Sequence, residues 1–84
     1  MRVVCVWREE SEHGRTVREW LNDFERQTGR EIENINPDEN AAFCNAYDVV
    51  EYPTILALHN DGTVAMSWRG ASMPRIDDVL FYML

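Results

Sequence analysis

The stretch VVEYPTILAL, from Val49 to Leu58, decides the fold; NDGT, from Asn60 to Thr63, and VAMSW, from Val64 to Trp68, follow it closely. A proline opens an apolar run, a turn interrupts the chain, and a second run of strand-forming residues comes next. Asp-Gly between two such runs is a strong hairpin signal. The sequence therefore predicts two antiparallel strands between Thr54 and Trp68.

Two elements are predicted ahead of this hairpin. The β-branched run from Arg2 to Trp7 is typical of a strand that is covered on both faces. An amphipathic helix follows, because apolar residues recur at the helical spacing i, i+3, i+4 and i+7: Val17, Trp20, Leu21 and Phe24. Its start is open, since Ser11 is one N-cap candidate and Thr16, with Glu19 completing a capping box, is the other.

Three further elements complete the chain. A short strand is predicted over residues 31–35, and Asn36-Pro37 predicts a helix that carries Phe43, Cys44 and Tyr47 inward. Ser72 and Pro74 open a last helix with Ile76, Val79, Leu80 and Met83 on one face. The order β-α-β-α-β-β-α predicts one α/β domain over residues 1–84, with a four-stranded mixed sheet and helices on both faces. The two strand-helix-strand passages imply parallel pairing at the front of the sheet.

Charge and composition exclude some function classes. The chain has 15 acidic residues against 8 basic ones and a formal charge of -7, which disfavours binding to nucleic acid or to an anionic membrane. The apolar run Val3–Trp7 is shorter than the core of a signal peptide and far shorter than a membrane span. We therefore expect a soluble, intracellular protein, cytoplasmic by default.

The segment Tyr52-Pro53-Thr54, taken with this order of elements, resembles the cis-proline loop of the thioredoxin family. Four other segments resemble landmarks of that family at matching separations: 36–40, 46–49, 60–62 and 69–71. The resemblance implies a minimal thioredoxin-like fold, close in size to a glutaredoxin, and a cis peptide bond between Tyr52 and Pro53. The glutathione-binding pattern of glutaredoxins does not match, and we expect no cofactor.

The redox motif of the family is missing. Where its members have Cys-x-x-Cys, this chain has Ser11-Glu12-His13-Gly14. Disulfide exchange needs a thiolate of low pKa and a second, resolving thiol. A serine ionises too weakly to replace the first, and glycine offers nothing to replace the second. Conventional dithiol exchange at this loop is therefore not expected.

The leading hypothesis is a redox-inactive module that binds a peptide or protein partner through the groove beside the cis-proline. The residues expected to line it are Ser11, Glu12, His13, Gly14, Tyr52, Pro53, Gly70 and Ala71. No catalytic residue is assigned. Glu9, Glu10, Glu12 and His13 lack metal-ligand spacing, and no metal site is predicted.

Two alternatives stay open. The first is an atypical thiol-disulfide oxidoreductase that uses Cys5 or Cys44, although both are expected to be buried core residues. A disulfide between them is disfavoured, because the first and second helices of this topology cover opposite faces of the sheet. The second is an assembly subunit whose acidic surface pairs with a basic partner and releases it in salt.

Overall fold

The chain alternates strands and helices in the predicted order, and a computed structural model describes all 84 residues. The strands are β1 (Arg2–Val6), β2 (Glu33–Ile35), β3 (Thr54–Leu58) and β4 (Val64–Arg69). The α-helices are α1 (Gly14–Thr28), α2 (Ala41–Ala46) and α3 (Ile76–Leu80), and 3-10 turns cover Pro37–Glu39 and Phe81–Met83. None of the helices combines the length and apolar character that crossing a membrane requires.

The four strands form one mixed sheet in the order β2-β1-β3-β4. Strand β1 pairs with β2 in parallel and with β3 antiparallel, and β3 pairs with β4 antiparallel around an irregularity between Ala57 and Leu58. Only the first strand-helix-strand passage gives a parallel pair. The implied parallel pairing of the second passage is wrong, because β3 returns beside β1 in the opposite direction.

Side chains alternate across the sheet and build a core on each face. One core joins α1 and α3 to the sheet, and its buried members are Val3, Cys5, Val17, Phe24, Ile32, Ile55, Ala57 and Val79. The other lies under α2 and consists of Val4, Val6, Ile35, Cys44, Val49, Leu56 and Leu58. Helices therefore cover both faces, and β3 is buried along its whole length.

Both predicted starts of α1 are wrong. The helix begins at Gly14 with His13 in the N-cap position, and no side chain caps it. The Val17 amide donates to the His13 carbonyl at 3.0 Å, which makes this the first helical bond. Ser11 lies too early, because its hydroxyl donates to the Arg8 carbonyl at 2.8 Å instead.

The other two helices also begin later than predicted. Asn36 does cap a turn, since its Oδ1 accepts from the Asp38 amide at 3.0 Å, but that turn is a 3-10 helix. Asn40, at φ -137°, breaks it, and α2 starts afresh at Ala41. The last helix starts at Ile76 rather than at Ser72 or Pro74, with Arg75 before it in extended conformation.

Candidate functional site

The loop between β1 and α1 is a set of tight turns. The Ser11 amide and hydroxyl both donate to the Arg8 carbonyl, at 3.3 Å and 2.8 Å, and the Gly14 amide donates to the Ser11 carbonyl at 3.1 Å. Ser11 is exposed, but its hydroxyl hydrogen is already used within the loop. This part of the expected groove is therefore held in place by its own backbone.

Gly14 lies beneath this loop rather than on its surface. It is buried, and a Cβ built on it would stand 2.1 Å from the carbonyl oxygen of Glu9, which is backbone and cannot rotate away. The loop can fold down onto α1 only because position 14 has no side chain. Gly14 shapes the site from below, while Ser11 and Glu12 face solvent.

Tyr52 and Pro53 lie at the start of β3, and the peptide bond between them is cis. Pro53 is buried and Tyr52 is half-buried. Neither the amide nor the carbonyl of Tyr52 has a hydrogen-bond partner in the protein. The backbone of Tyr52 therefore offers one free donor and one free acceptor beside the loop.

Gly70 joins this surface through a backbone contact. Its amide donates to the Pro53 carbonyl at 2.9 Å, and its φ of 95° is a value that favours glycine. The Glu51 carboxylate lies 3.6 Å from where a Cβ of Gly70 would stand. Ala71 follows and is exposed. The turn at 70–71 therefore borders Pro53, as a groove around this proline requires.

Arg8 connects the two halves of the site, and the sequence interpretation gave it no role. Its guanidinium carbon stands 4.8 Å from the centre of the Tyr52 ring, while Nη2 donates to Asp38 Oδ1 at 2.8 Å. This ion pair raises the pKa of Arg8. The same arginine accepts both Ser11 hydrogen bonds through its carbonyl, so it links the loop to Tyr52. The sequence feature that could have indicated this role is the position of Arg8 directly after Trp7, but its two partners lie far away in the sequence.

The charges around the loop do not converge on a metal site. His13 Nε2 lies 3.3 Å from Glu12 Oε1, and the side chain of Glu9 pairs with Arg18. No group of three or more His, Cys, Asp or Glu side chains gathers anywhere in the protein as a metal site would require. A depression beside the loop, lined by Arg8, Glu9, Glu10, Asn36 and Asp38, is wholly polar.

Both cysteines are free, buried and on opposite faces of the sheet. Cys5 points into the core under α1 and α3, with no exposed surface, and this burial raises the pKa of its thiol to about 12. Cys44 lies in the core under α2, also buried. Neither sulfur reaches the surface at the 11–14 loop.

Comparisons with solved structures identify the fold. The chain is similar to a protein described as a malarial protein, with a TM-score of 0.72 and 16% identity over 96% of this chain and 90% of that one. It is also similar to thioredoxin 1 from the thermophilic eubacterium Thermosipho africanus TCF52B, with a TM-score of 0.69 and 14% identity over 99% and 90%. No protein-family model and no curated protein matches the chain. The fold is thioredoxin-like.

Proposed function

We propose that the protein is a thioredoxin-fold binding module that recognises an extended segment of a protein or peptide partner. The residues proposed to contact the partner are those of the 11–14 loop, Tyr52 and Pro53, and Gly70 and Ala71. The observation that carries the proposal is the unpaired backbone of Tyr52, whose amide and carbonyl are both free. An extended peptide can satisfy such a pair by adding as a strand, and this needs no thiol, metal or cofactor.

The condition of the thiols supports binding over redox chemistry. A thiol with a pKa of about 12 is almost wholly protonated at neutral pH, and the protonated form is a poor nucleophile. Cys5 has no access to solvent, and Cys44 lies on the other side of the sheet, so neither is placed to resolve a mixed disulfide formed by the other. The alternative function, an atypical thiol-disulfide oxidoreductase, would need the protein to open before either thiol could react.

Peptide selection followed by mutation tests the binding proposal. Ligands selected from a random peptide library would be measured against the wild type, Tyr52→Ala and Ala71→Asp, with Arg15→Ala as an exposed control on α1. We expect both groove variants to weaken binding at least tenfold and the control to stay within twofold. The proposal fails if the groove variants bind like the wild type while substitutions elsewhere abolish binding.

A thiol assay tests the alternative. Insulin reduction in the presence of dithiothreitol would be followed beside a count of reactive thiols in native and in denatured protein. We expect no turnover, and we expect both thiols to react only after denaturation. Turnover that disappears in Cys5→Ala or Cys44→Ala would instead establish the oxidoreductase.

A further inference from the structure

The two edges of the sheet differ in how well they are protected. Exposed edge strands tend to pair with other chains, and proteins blunt them with short strands, charges or proline. Strand β2 is only three residues long, and its Glu33 carboxylate is held by Arg2 at 2.6 Å. Strand β4 has six residues, and five consecutive ones, Val64 to Trp68, carry neither charge nor proline. The β4 edge is therefore the open one.

The pairing of β4 with β3 shows which backbone groups are free. In an antiparallel pair, alternate residues direct both polar groups toward the partner strand, and the residues between them direct both away. The bond from the Gly70 amide to the Pro53 carbonyl fixes this alternation, so Trp68, opposite Ile55, faces β3. It follows that the amides and carbonyls of Ser67 and Arg69 point outward, at the spacing that one added strand requires.

An apolar groove runs beside this edge. Met66 and Trp68 lie opposite Ala57 and Ile55, so their side chains are on the face covered by α1 and α3. They line a shallow depression of about 370 Å³ with Phe81 and Tyr82 from the C-terminal turn. Phe81 is 70% exposed and Met66 40% exposed. The Tyr82 ring packs against two others at the base of this depression, with ring centroids 5.5 Å apart for Trp68–Tyr82 and 5.1 Å apart for Phe81–Tyr82.

The groove carries negative charge and no positive charge. Asp77 and Asp78, in the first turn of α3, complete its lining, and neither makes an ion pair. Arg69 is directed elsewhere, since its guanidinium donates to the carbonyls of Tyr47 and Asp48. Arg75, which precedes α3, does not line the groove. An occupant that places cations here would meet two unpaired carboxylates.

We propose that the β4 edge and this groove form a second docking surface, distinct from the groove at Pro53, for an extended segment whose every second side chain, on the face turned toward α3, is aliphatic or basic. Its backbone pairs with Ser67 and Arg69, its aliphatic side chains cover Met66 and Phe81, and its basic side chains reach Asp77 and Asp78. A second copy of this chain is disfavoured as the occupant, because each copy carries a charge of -7 and its own pair of aspartates at this site.

The test uses a valine-arginine peptide of nine residues, Ser-Val-Ser-Arg-Ser-Val-Ser-Arg-Ser, which turns all its valines and arginines to one face of the added strand and is labelled for fluorescence anisotropy. Ser67→Pro removes the outward amide and leaves the β3 ladder intact, because an edge strand tolerates proline where its N–H faces solvent. Ser67→Ala is the matched control. We expect Ser67→Pro to bind at least tenfold more weakly than Ser67→Ala, and the double variant Asp77→Asn, Asp78→Asn to bind more weakly with less dependence on salt.

Several results would overturn the proposal: equal binding by the proline and alanine variants, equal binding of a valine-glutamate peptide, or no binding of the valine-arginine peptide. Hydrogen exchange on the wild type keeps the test independent of how well Ser67→Pro folds, because added peptide must protect the Ser67 and Arg69 amides. Sedimentation that shows a dimer lost in Ser67→Pro would assign the edge to self-association instead. Tyr52→Ala must leave this peptide's affinity unchanged, so the outcome is separable from that for the groove at Pro53.

Discussion

Replacing Gly14 with alanine tests how the site loop is held. Gly14 is the first residue of α1, and alanine is the better helix former by about 1 kcal/mol in a helix interior. Propensity alone therefore predicts that Gly14→Ala stabilises the protein. The structure predicts the opposite, because the new Cβ would lie 2.1 Å from the Glu9 carbonyl oxygen and 2.9 Å from its carbonyl carbon.

The size of the effect follows from what must move. Both clashing atoms are backbone, so the clash is relieved only if the 9–14 loop lifts from the helix. Overpacking of this kind costs about 1–3 kcal/mol. The gain in helix propensity offsets part of this cost, so the free energy of unfolding should fall by roughly 1–2 kcal/mol. A change of this size lowers the melting temperature of a domain of this length by roughly 5–15 °C.

Urea denaturation followed by circular dichroism at 222 nm measures the free energy of unfolding of this variant. Arg15→Ala is the matched control, since it adds no atoms beside the loop and its side chain is 91% exposed. We expect this control to stay within about 0.5 kcal/mol of the wild type. A Gly14→Ala protein as stable as the wild type, or more stable, would refute the argument that the loop packs against position 14.

Three further predictions concern the core and an ion pair. Phe24 has no exposed surface, so Phe24→Ala should lower the free energy of unfolding by about 3–5 kcal/mol, measurable in the same denaturation assay. Burial raises the pKa of the Cys5 thiol to about 12, so the stability that the protonated thiol contributes is complete below pH 9.0 and is lost as the pH rises toward 12. Above pH 9.0, the free energy of unfolding of the wild type should therefore fall by about 1.4 kcal/mol per pH unit more than that of Cys5→Ala. Equal slopes would contradict the burial of Cys5. Arg2 lowers the pKa of Glu33 by hydrogen bonding, so their coupling, about 0.2–1 kcal/mol in a double-mutant cycle at pH 7, should vanish as acid protonates Glu33.

Local chemistry explains why the hairpin could be predicted from sequence. Asp61 and Gly62 favour the turn through local interactions: Gly62 takes a φ of 89°, and the Asp61 carboxylate accepts from the Thr63 amide at 3.0 Å. These interactions lie within a few residues, so the local pattern predicts the turn, and the Tyr47 hydroxyl adds a longer-range bond to the Gly62 carbonyl at 2.7 Å. The register of β3 against β4 is regular from Thr54 to Ala57, but the irregularity between Ala57 and Leu58 has no signal in the sequence pattern.

Contacts between distant segments explain what the sequence did not reveal. The start of α1 depends on Gly14 fitting against the Glu9 carbonyl, a tertiary contact that no capping pattern records. Arg8 becomes a site residue only because Asp38 and Tyr52, far along the chain, fold against it. A disulfide between the two cysteines is disfavoured by a topology whose first and second helices cover opposite faces of the sheet, and the cysteines do lie in the two opposite cores.

Charge gives the two proposed surfaces a common partner chemistry, but it does not make them one site. Glu10 and Glu12 are exposed in the loop after β1, and Asp77 and Asp78 line the β4 groove. Screening limits each charge to about 8 Å at physiological ionic strength, so each pair acts on its own occupant. Such charges mainly raise the association rate of basic partners, whereas affinity and register come from short-range contacts. Those contacts differ: the Pro53 groove offers the free backbone of Tyr52, while β4 offers two outward residues beside apolar side chains. Salt should therefore slow association at both surfaces, but only substitutions within each groove should decide which segment stays bound.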